Sequence, residues 1–195
     1  MGEVFQGGRL VAQALKAEGV DCVFTLSGGH IMPIYEGCRH EGIRVLDVRH
    51  EQAAAHAAEA WGRIQRTCGV ALATAGPGVT GTVTAIANCY AAQTPLVVMG
   101  GARPLAQAEQ GSLQEFDQLS LFKPITKWAA VCSSTARIPE YVAIAFRQAL
   151  SAPRGPVYLE LPMDVLFEEA AADRDPAPSR SSARAFGDPR EVMKA

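Results

Sequence analysis

Six short, near-continuous apolar runs constrain this chain more than any other feature. They are DCVFTL, IRVLDV, GVALATA, PLVVMGG, KWAAVC and PVYLELP. Runs that stay apolar instead of alternating belong to strands buried on both faces, which means a parallel sheet covered by helices. The segments between them supply those helices. Helices are predicted over residues 8–18 with Gly19 as C-cap, 30–40 closed by Gly42, 51–66, 79–93, 117–122 and 139–150. The chain therefore reads as α/β, with a six-stranded, mostly parallel sheet in three α/β/α layers and right-handed crossovers. Ligands on such a sheet bind at the carboxyl ends of the strands. Four stretches come directly after strands and are the first to examine: SGGH, RHE, AGPG and GGAR.

The chain has 195 residues, enough for one domain with a full core. A formal net charge of -2 gives no electrostatic reason to expect nucleic acid or an anionic membrane as partner. No apolar run is long enough to span a bilayer. The opening MGEVFQGGRL lacks the basic start and apolar core of a signal peptide, and Gln6 breaks the myristoylation pattern. Cys22, Cys38, Cys68, Cys89 and Cys132 are irregularly spaced, with no C-x-x-C, so neither a disulfide framework nor a zinc site is expected. They read as small buried hydrophobes in a reducing cytoplasm. From about Phe167 the sequence turns to Glu, Ala, Asp, Pro, Ser and Arg, which is linker chemistry. The expected organisation is a folded domain over residues 1–167 and a linker or tail over 168–195. One long polar loop, Ala102 to Asp117, interrupts the βα rhythm and reads as functional or disordered.

Each post-strand stretch has candidates. TAGPGVTG, Thr74 to Gly81, satisfies G-x-G-x-x-G between a strand and a helix. A dinucleotide loop also needs an acidic residue about 20 residues on, to hold the ribose. That region is LVVMGG, with no acid, and Pro77 removes one backbone donor. The glycines read as a tight strand-to-helix turn. In RHE, Glu51 opens a long helix, where the helix dipole favours a carboxylate; on spacing alone this role is structural. His50 and His56 read as surface or interface residues. In SGGH, His30 sits at a strand tip beside Gly28 and Gly29, a place suited to proton transfer. Gln114 and Glu115 lie in the long loop and on their own read as solvated. No carboxylate or histidine cluster has metal-ligand spacing, G-x-S-x-G is absent, and there is no Walker-type loop.

Taken in order, GGRLVAQALKAEGVDCVFTLSGGHIMPIYEG, VLDVRHEQAAAHAAEAWGR, GVALATAGPGVTGTVTAIANCYAAQTPLVVMGG, LQEFDQLSLFKPITKWA and ALSAPRGPVYLELPMDV are far more specific than any single motif. Together they are similar to the N-terminal, aminopyrimidine-binding domain of thiamine diphosphate enzymes in the acetolactate synthase superfamily. The resemblance covers roughly residues 7–167. Within that superfamily GGHI, PITKWA and SAPRGPVYLELP are most similar to benzaldehyde lyase, and DQLSLFKP and ELPMDVL resemble acetolactate synthase-like 2-hydroxyacyl-CoA lyases.

The resemblance implies a role for each matched residue. Glu51 matches the family's glutamate, whose carboxyl group hydrogen-bonds the cofactor's pyrimidine and promotes loss of the thiazolium proton. His30 and Gln114 match a polar pair facing the substrate, with Gly28 in the same pocket and Gly29 leaving room beside them. Gly76, Pro77 and Gly78, with Asn88, would line the cofactor's pyrimidine side and face Glu51 across a subunit boundary. The family's diphosphate and magnesium site lies on another domain, in a Gly-Asp-Gly motif that this sequence lacks. The partner implied is a second copy of the chain, or the diphosphate-binding domain, across a dimer interface, with the Ala-rich helix EQAAAHAAEA at that interface. The implied substrate is a small carbonyl compound and the implied chemistry that of a lyase or carboligase. Acetolactate synthase, a free-standing non-catalytic binding or dimerisation module and a flavodoxin-like mononucleotide binder are the alternatives.

Overall fold

A computed structural model describes residues 3–172, 176–179 and 193. The elements in chain order are β1 (Glu3–Gln6), α1 (Gly7–Ala17), β2 (Cys22–Thr25), α2 (Met32–Glu41), β3 (Arg44–Asp47), α3 (Glu51–Gln65), β4 (Gly69–Ala73), α4 (Pro77–Thr80), α5 (Val83–Ala91), β5 (Leu96–Ala102), α6 (Gln118–Phe122), β6 (Trp128–Val131), α7 (Ile138–Leu150), β7 (Pro156–Pro162), α8 (Met163–Phe167) and β8 (Glu169–Ala172). All six apolar runs form strands of one sheet, in the order β3-β2-β4-β5-β7-β6, and every pairing in it is parallel.

Two apolar clusters sandwich the sheet. One buries Leu10, Leu15, Ile34, Val142 and Phe146 of α1, α2 and α7 against Val70, Val97 and Leu159. The other buries Ala54, Ala58, Ile86 and Phe122 of α3, α5 and α6 against Ala71, Val98 and Tyr158. Each fully buried Leu, Ile or Phe side chain contributes roughly 1.5–3 kcal/mol. All five cysteines are free and buried among these layers. Among the described residues no helix is long and apolar enough to cross a membrane.

Helix α3 is seated by its cap and by a run of alanines. Its N-cap is His50, whose Nδ1 accepts the Gln52 N–H at 3.1 Å. Its buried face is Ala54, Ala55 and Ala58, good helix formers with no side-chain entropy to lose. The helix lies directly on β4: a Cβ on Gly69 would sit only 1.8 Å from the Ala58 carbonyl oxygen. Helix backbone against strand backbone fixes the height of Glu51 above the sheet.

Two local expectations change. The helix predicted over residues 79–93 is two pieces. Pro77 starts the first early, as proline does at a first helical position. The break falls at Gly81 and Thr82, a weak helix former followed by a hydroxyl that donates to the Val79 carbonyl at 2.6 Å. Further on, β8 carries regular structure past the expected end of the domain. Strand β8 pairs antiparallel with β1, from Glu3↔Ala172 to Gln6↔Glu169.

Candidate active site

The carboxyl ends of β2, β3, β4 and β5 deliver the four post-strand stretches to one edge of the sheet. Glu51 is the first residue of α3, just after β3. The turn after β4 folds back over it. A Cβ on Gly81 would lie 3.1 Å from Glu51 Oε2, and one on Gly78 3.7 Å from Oε1. The turn and the carboxylate thus face each other within one chain, which corrects the expectation that a subunit boundary separates them. Glu51 is half-buried. Its carboxylate takes part in no side-chain hydrogen bond or ion pair among the described residues.

The same turn shows why G-x-G-x-x-G is not a phosphate loop here. Gly76 has φ 61° and ψ -114°, a conformation open to glycine alone. Its N–H donates to Gln118 Oε1 at 2.7 Å. The Gly78 N–H donates to the Ala75 carbonyl, the Thr80 N–H to Gly76, and the Gly81 N–H to Pro77, at 3.0–3.3 Å. Pro77 has no N–H. These donors are spent inside the protein, so no fan of amides is left for a phosphate.

Beside the turn lies a cleft of about 630 Å³, lined by Gly28, Gly29, His30, Thr74, Gln114 and Met163 among others. His30 is buried at 4% exposure, and its Nδ1 is 3.1 Å from Thr74 Oγ1. Burial lowers its pKa below the ordinary 6.5, with the Leu113 carbonyl opposing, so the neutral ring is favoured. Gly101 makes room for it: a Cβ there would come within 2.6 Å of His30 Cβ. At Gly29 a Cβ would meet nothing within 4 Å, so that position opens onto free space. Gln114, at φ 58°, packs against Gly76, where a Cβ would lie 2.8 Å from the Gln114 carbonyl oxygen. The structure therefore gathers His30, Gln114, Gly28 and Gly29 in one cleft. It joins them through Gly76 to the turn that carries Pro77, Gly78 and the Glu51 contact.

Asn88 is not gathered there. It is exposed, and its Nδ2 donates to Glu59 Oε2 at 3.2 Å. Glu59 also pairs with Arg63 at 2.9 Å. Burial raises the Glu59 pKa, but the Arg63 hydrogen bond and charge outweigh it, and the carboxyl is held below its ordinary value. Glu59 lies two turns along α3 from Glu51, about 12 Å away.

Two groups of the site escape a residue-by-residue reading of the sequence. Glu115, read as solvated, organises the long loop. Its carboxylate accepts the amides of Glu109 at 2.7 Å, Gly111 at 3.0 Å and Ser112 at 3.1 Å, and pairs with Arg103 at 2.6 Å. Those bonds, the Glu109 amide first, hold its pKa low. The S-x-x-E spacing of Ser112 and Glu115 is the one local signal that could have found it. Gln118 is buried, at 2% exposure, behind the glycine turn. No motif announces it. Among the described residues no group of three or more His, Cys, Asp or Glu gathers as a metal site.

Compared with known families, residues 5–121 match the thiamine pyrophosphate enzyme, N-terminal TPP binding domain. The chain belongs to this family. Among curated relatives of this thiamine pyrophosphate enzyme domain, a probable acetolactate synthase of Mycobacterium bovis is 45% identical over 174 residues, covering 89% of this chain and 32% of the relative. The 2-hydroxyacyl-CoA lyase 2 of Danio rerio is 44% identical over 175 residues, covering 90% of this chain and 28% of the relative. Its Homo sapiens counterpart is 44% identical over 180 residues, covering 91% and 28%. The chain thus spans about a third or less of the length of these relatives. The site suits the pyrimidine end of the family's cofactor. A half-buried carboxylate with no side-chain partner among the described residues stands at a helix N-terminus, bordered by two glycines whose missing Cβ atoms keep the space beside it open.

Proposed function

We propose that this chain is the cofactor-activating, N-terminal part of a thiamine diphosphate-dependent lyase or carboligase. The reaction is cleavage or formation of a carbon–carbon bond next to a carbonyl, on a 2-hydroxy ketone or a 2-hydroxyacyl thioester. One observation carries the reading: the Glu51 carboxylate, without a side-chain partner among the described residues, framed by Gly78 and Gly81. When bound, the cofactor supplies an electron sink for the carbon left at the broken bond. Glu51 holds a hydrogen bond to the aminopyrimidine, and the dipole of α3 and the glycine turn fix its carboxyl group in place. Gly76, Pro77 and Gly78 border the pyrimidine. His30, kept neutral by burial, takes a proton from a substrate hydroxyl or returns it, and Gln114 hydrogen-bonds the substrate oxygen. Gly29 leaves room for a bulky substituent.

Diphosphate and magnesium are assigned to a further domain. A second copy of the chain, or that domain, is proposed to close the site from outside along α3, whose Ala53, Ala60 and Ile64 are exposed. Five buried thiols fit a reducing cytoplasm. Acetolactate formation from two pyruvates is the second reading. The mycobacterial relative bears that name at an identity matching the lyases.

The test is to express the full reading frame with thiamine diphosphate and magnesium. Cleavage of benzoin, cleavage of a 2-hydroxyacyl-CoA and formation of acetolactate are assayed in parallel. Glu51→Gln is expected to lower the activity found by about 10²–10⁴-fold, the range for a positioned acid–base group. Activity unaffected by Glu51→Gln would remove the residue from its role. Absence of all three reactions would sink the enzyme reading.

A further inference from the structure

Gln118 is a buried amide whose acceptor and donor ends are both engaged. Its Oε1 accepts the Gly76 N–H at 2.7 Å. Its Nε2 donates to the Gly101 carbonyl at 3.0 Å, and lies 2.9 Å from Glu160 Oε2 and 3.2 Å from Tyr158 Oη. Glu160 and Tyr158 stand on β7, Gly101 on β5, and Gly76 on the turn after β4. One side chain therefore ties the glycine turn to the ends of the two strands beside it.

Both ends of this tie reach the cleft. On the turn side, Gly76 is the pivot of the segment that sets Gly78 and Gly81 against the Glu51 carboxylate. Gly76 is conformationally free where other residues are not, so it needs an outside restraint to hold φ 61°. On the strand side, Gly101 is the residue against which His30 packs. The acceptor and donor ends of Gln118 cannot be exchanged. Gly76 offers an N–H and Gly101 a C=O, so the amide is locked in one orientation. The Tyr158 ring, fully buried and stacked on Phe122 of α6, backs it. A buried polar group held this fully loses heavily when any partner is removed.

We propose that Gln118 is a positioning residue: it holds the Gly76 turn so that Gly78 and Gly81 keep the Glu51 carboxylate in place. The proposal rests on the catalytic role proposed for Glu51. Gln118 touches no ligand itself, and its effect runs through Glu51.

The test is Gln118→Met, which keeps the volume and removes both ends of the amide. The first readout, on the 195-residue chain, is hydrogen exchange at the Gly76 amide; an increase of about tenfold or more is expected. The second, in the full reading frame, is a double-mutant cycle with Glu51→Gln. Gln118→Met alone is expected to lower kcat about tenfold or more, and to lower it no further once Glu51 is Gln. Gln118→Asn, one methylene short of the turn, carries the same expectations if the Met variant does not fold. Unchanged Gly76 exchange, or losses from the two substitutions that multiply, would overturn the proposal. The two roles fail separately. Full activity in Glu51→Gln ends the role of Glu51. A dead Glu51→Gln enzyme with wild-type Gly76 exchange and kcat in the Gln118 variants ends the role of Gln118 alone.

Discussion

Gly81 stands so close to Glu51 that a methyl group on it would lie 3.1 Å from Oε2 and 3.2 Å from Cβ of the glutamate. Gly81 itself has ordinary right-handed helical angles, φ -58° and ψ -22°. Alanine there adopts an allowed backbone conformation, and its closest contacts are with Glu51, the Gly78 carbonyl oxygen following at 3.3 Å.

Gly81→Ala is therefore expected to separate stability from activity. The glutamate must give by a few tenths of an ångström. Folding stability should change by less than about 1 kcal/mol, while kcat of the full enzyme falls about tenfold or more, because acid–base groups tolerate little misplacement. Thermal unfolding and steady-state kinetics on one preparation decide it. Equal activity would show that the glycine does not set the carboxylate's position.

Gly76→Ala should do the opposite and damage the fold first. Its positive φ costs about 1–3 kcal/mol for a residue with a Cβ. The added atom would also lie 2.8 Å from the Gln114 carbonyl oxygen. A lowered denaturant midpoint is the expected result. A midpoint matching wild type would mean the turn relaxes freely.

His30 gives a pH dependence whose sign is set by burial. Its folded pKa lies below the ordinary 6.5, so just below that value the unfolded chain binds a proton that the folded chain refuses. The stability tied to neutral His30 is complete above 6.5 and is lost as pH falls through the folded value. His30→Gln should flatten this component. The fall in Tm between about pH 7.5 and about pH 5.5 should be smaller than in wild type. Parallel curves would argue against it.

Glu115→Ala should release the long loop without touching the sheet. Three amides, of Glu109, Gly111 and Ser112, lose their common acceptor, and Arg103 loses its partner. Exchange at those amides should accelerate by about tenfold or more, with β4 and β5 amides unaffected. Gln114, next in sequence, is expected to lose its fixed place in the cleft, read as a raised KM for the carbonyl substrate. Unaltered loop exchange would contradict the bracing role.

What the sequence made legible was whatever it encodes locally. The six strands stand out because burial on both faces forces continuous apolar runs, and Gly42 closes its helix in the left-handed conformation expected of a C-cap. The β1–β8 pair was invisible, since Val4 and Phe5 are flanked by polar residues and EAAA has only Glu and Ala, which are depleted in strands. The start of α3 was readable at Glu51, but its relation to Gly78 and Gly81 was not. That contact joins residues far apart in the chain, and only the stacking of α3 on β4 creates it. Gln118 escaped for the same reason: its partners Gly76, Gly101 and Glu160 lie on three different elements. Resemblance placed Asn88 near the pyrimidine, whereas the geometry commits it to Glu59.

The small ribbon of β1 and β8 has a mechanical consequence. Glu3 pairs with Ala172 and Gln6 with Glu169, so the outer ends of both strands point the same way. Tension applied from both sides of the chain opens such a pair like a zipper, one rung at a time, instead of shearing all rungs together. A tug transmitted through Ala172 is thus absorbed by a four-residue clasp before any load reaches the sheet. Opening this pair breaks no rung of the six-stranded sheet on which α3 and Glu51 are seated.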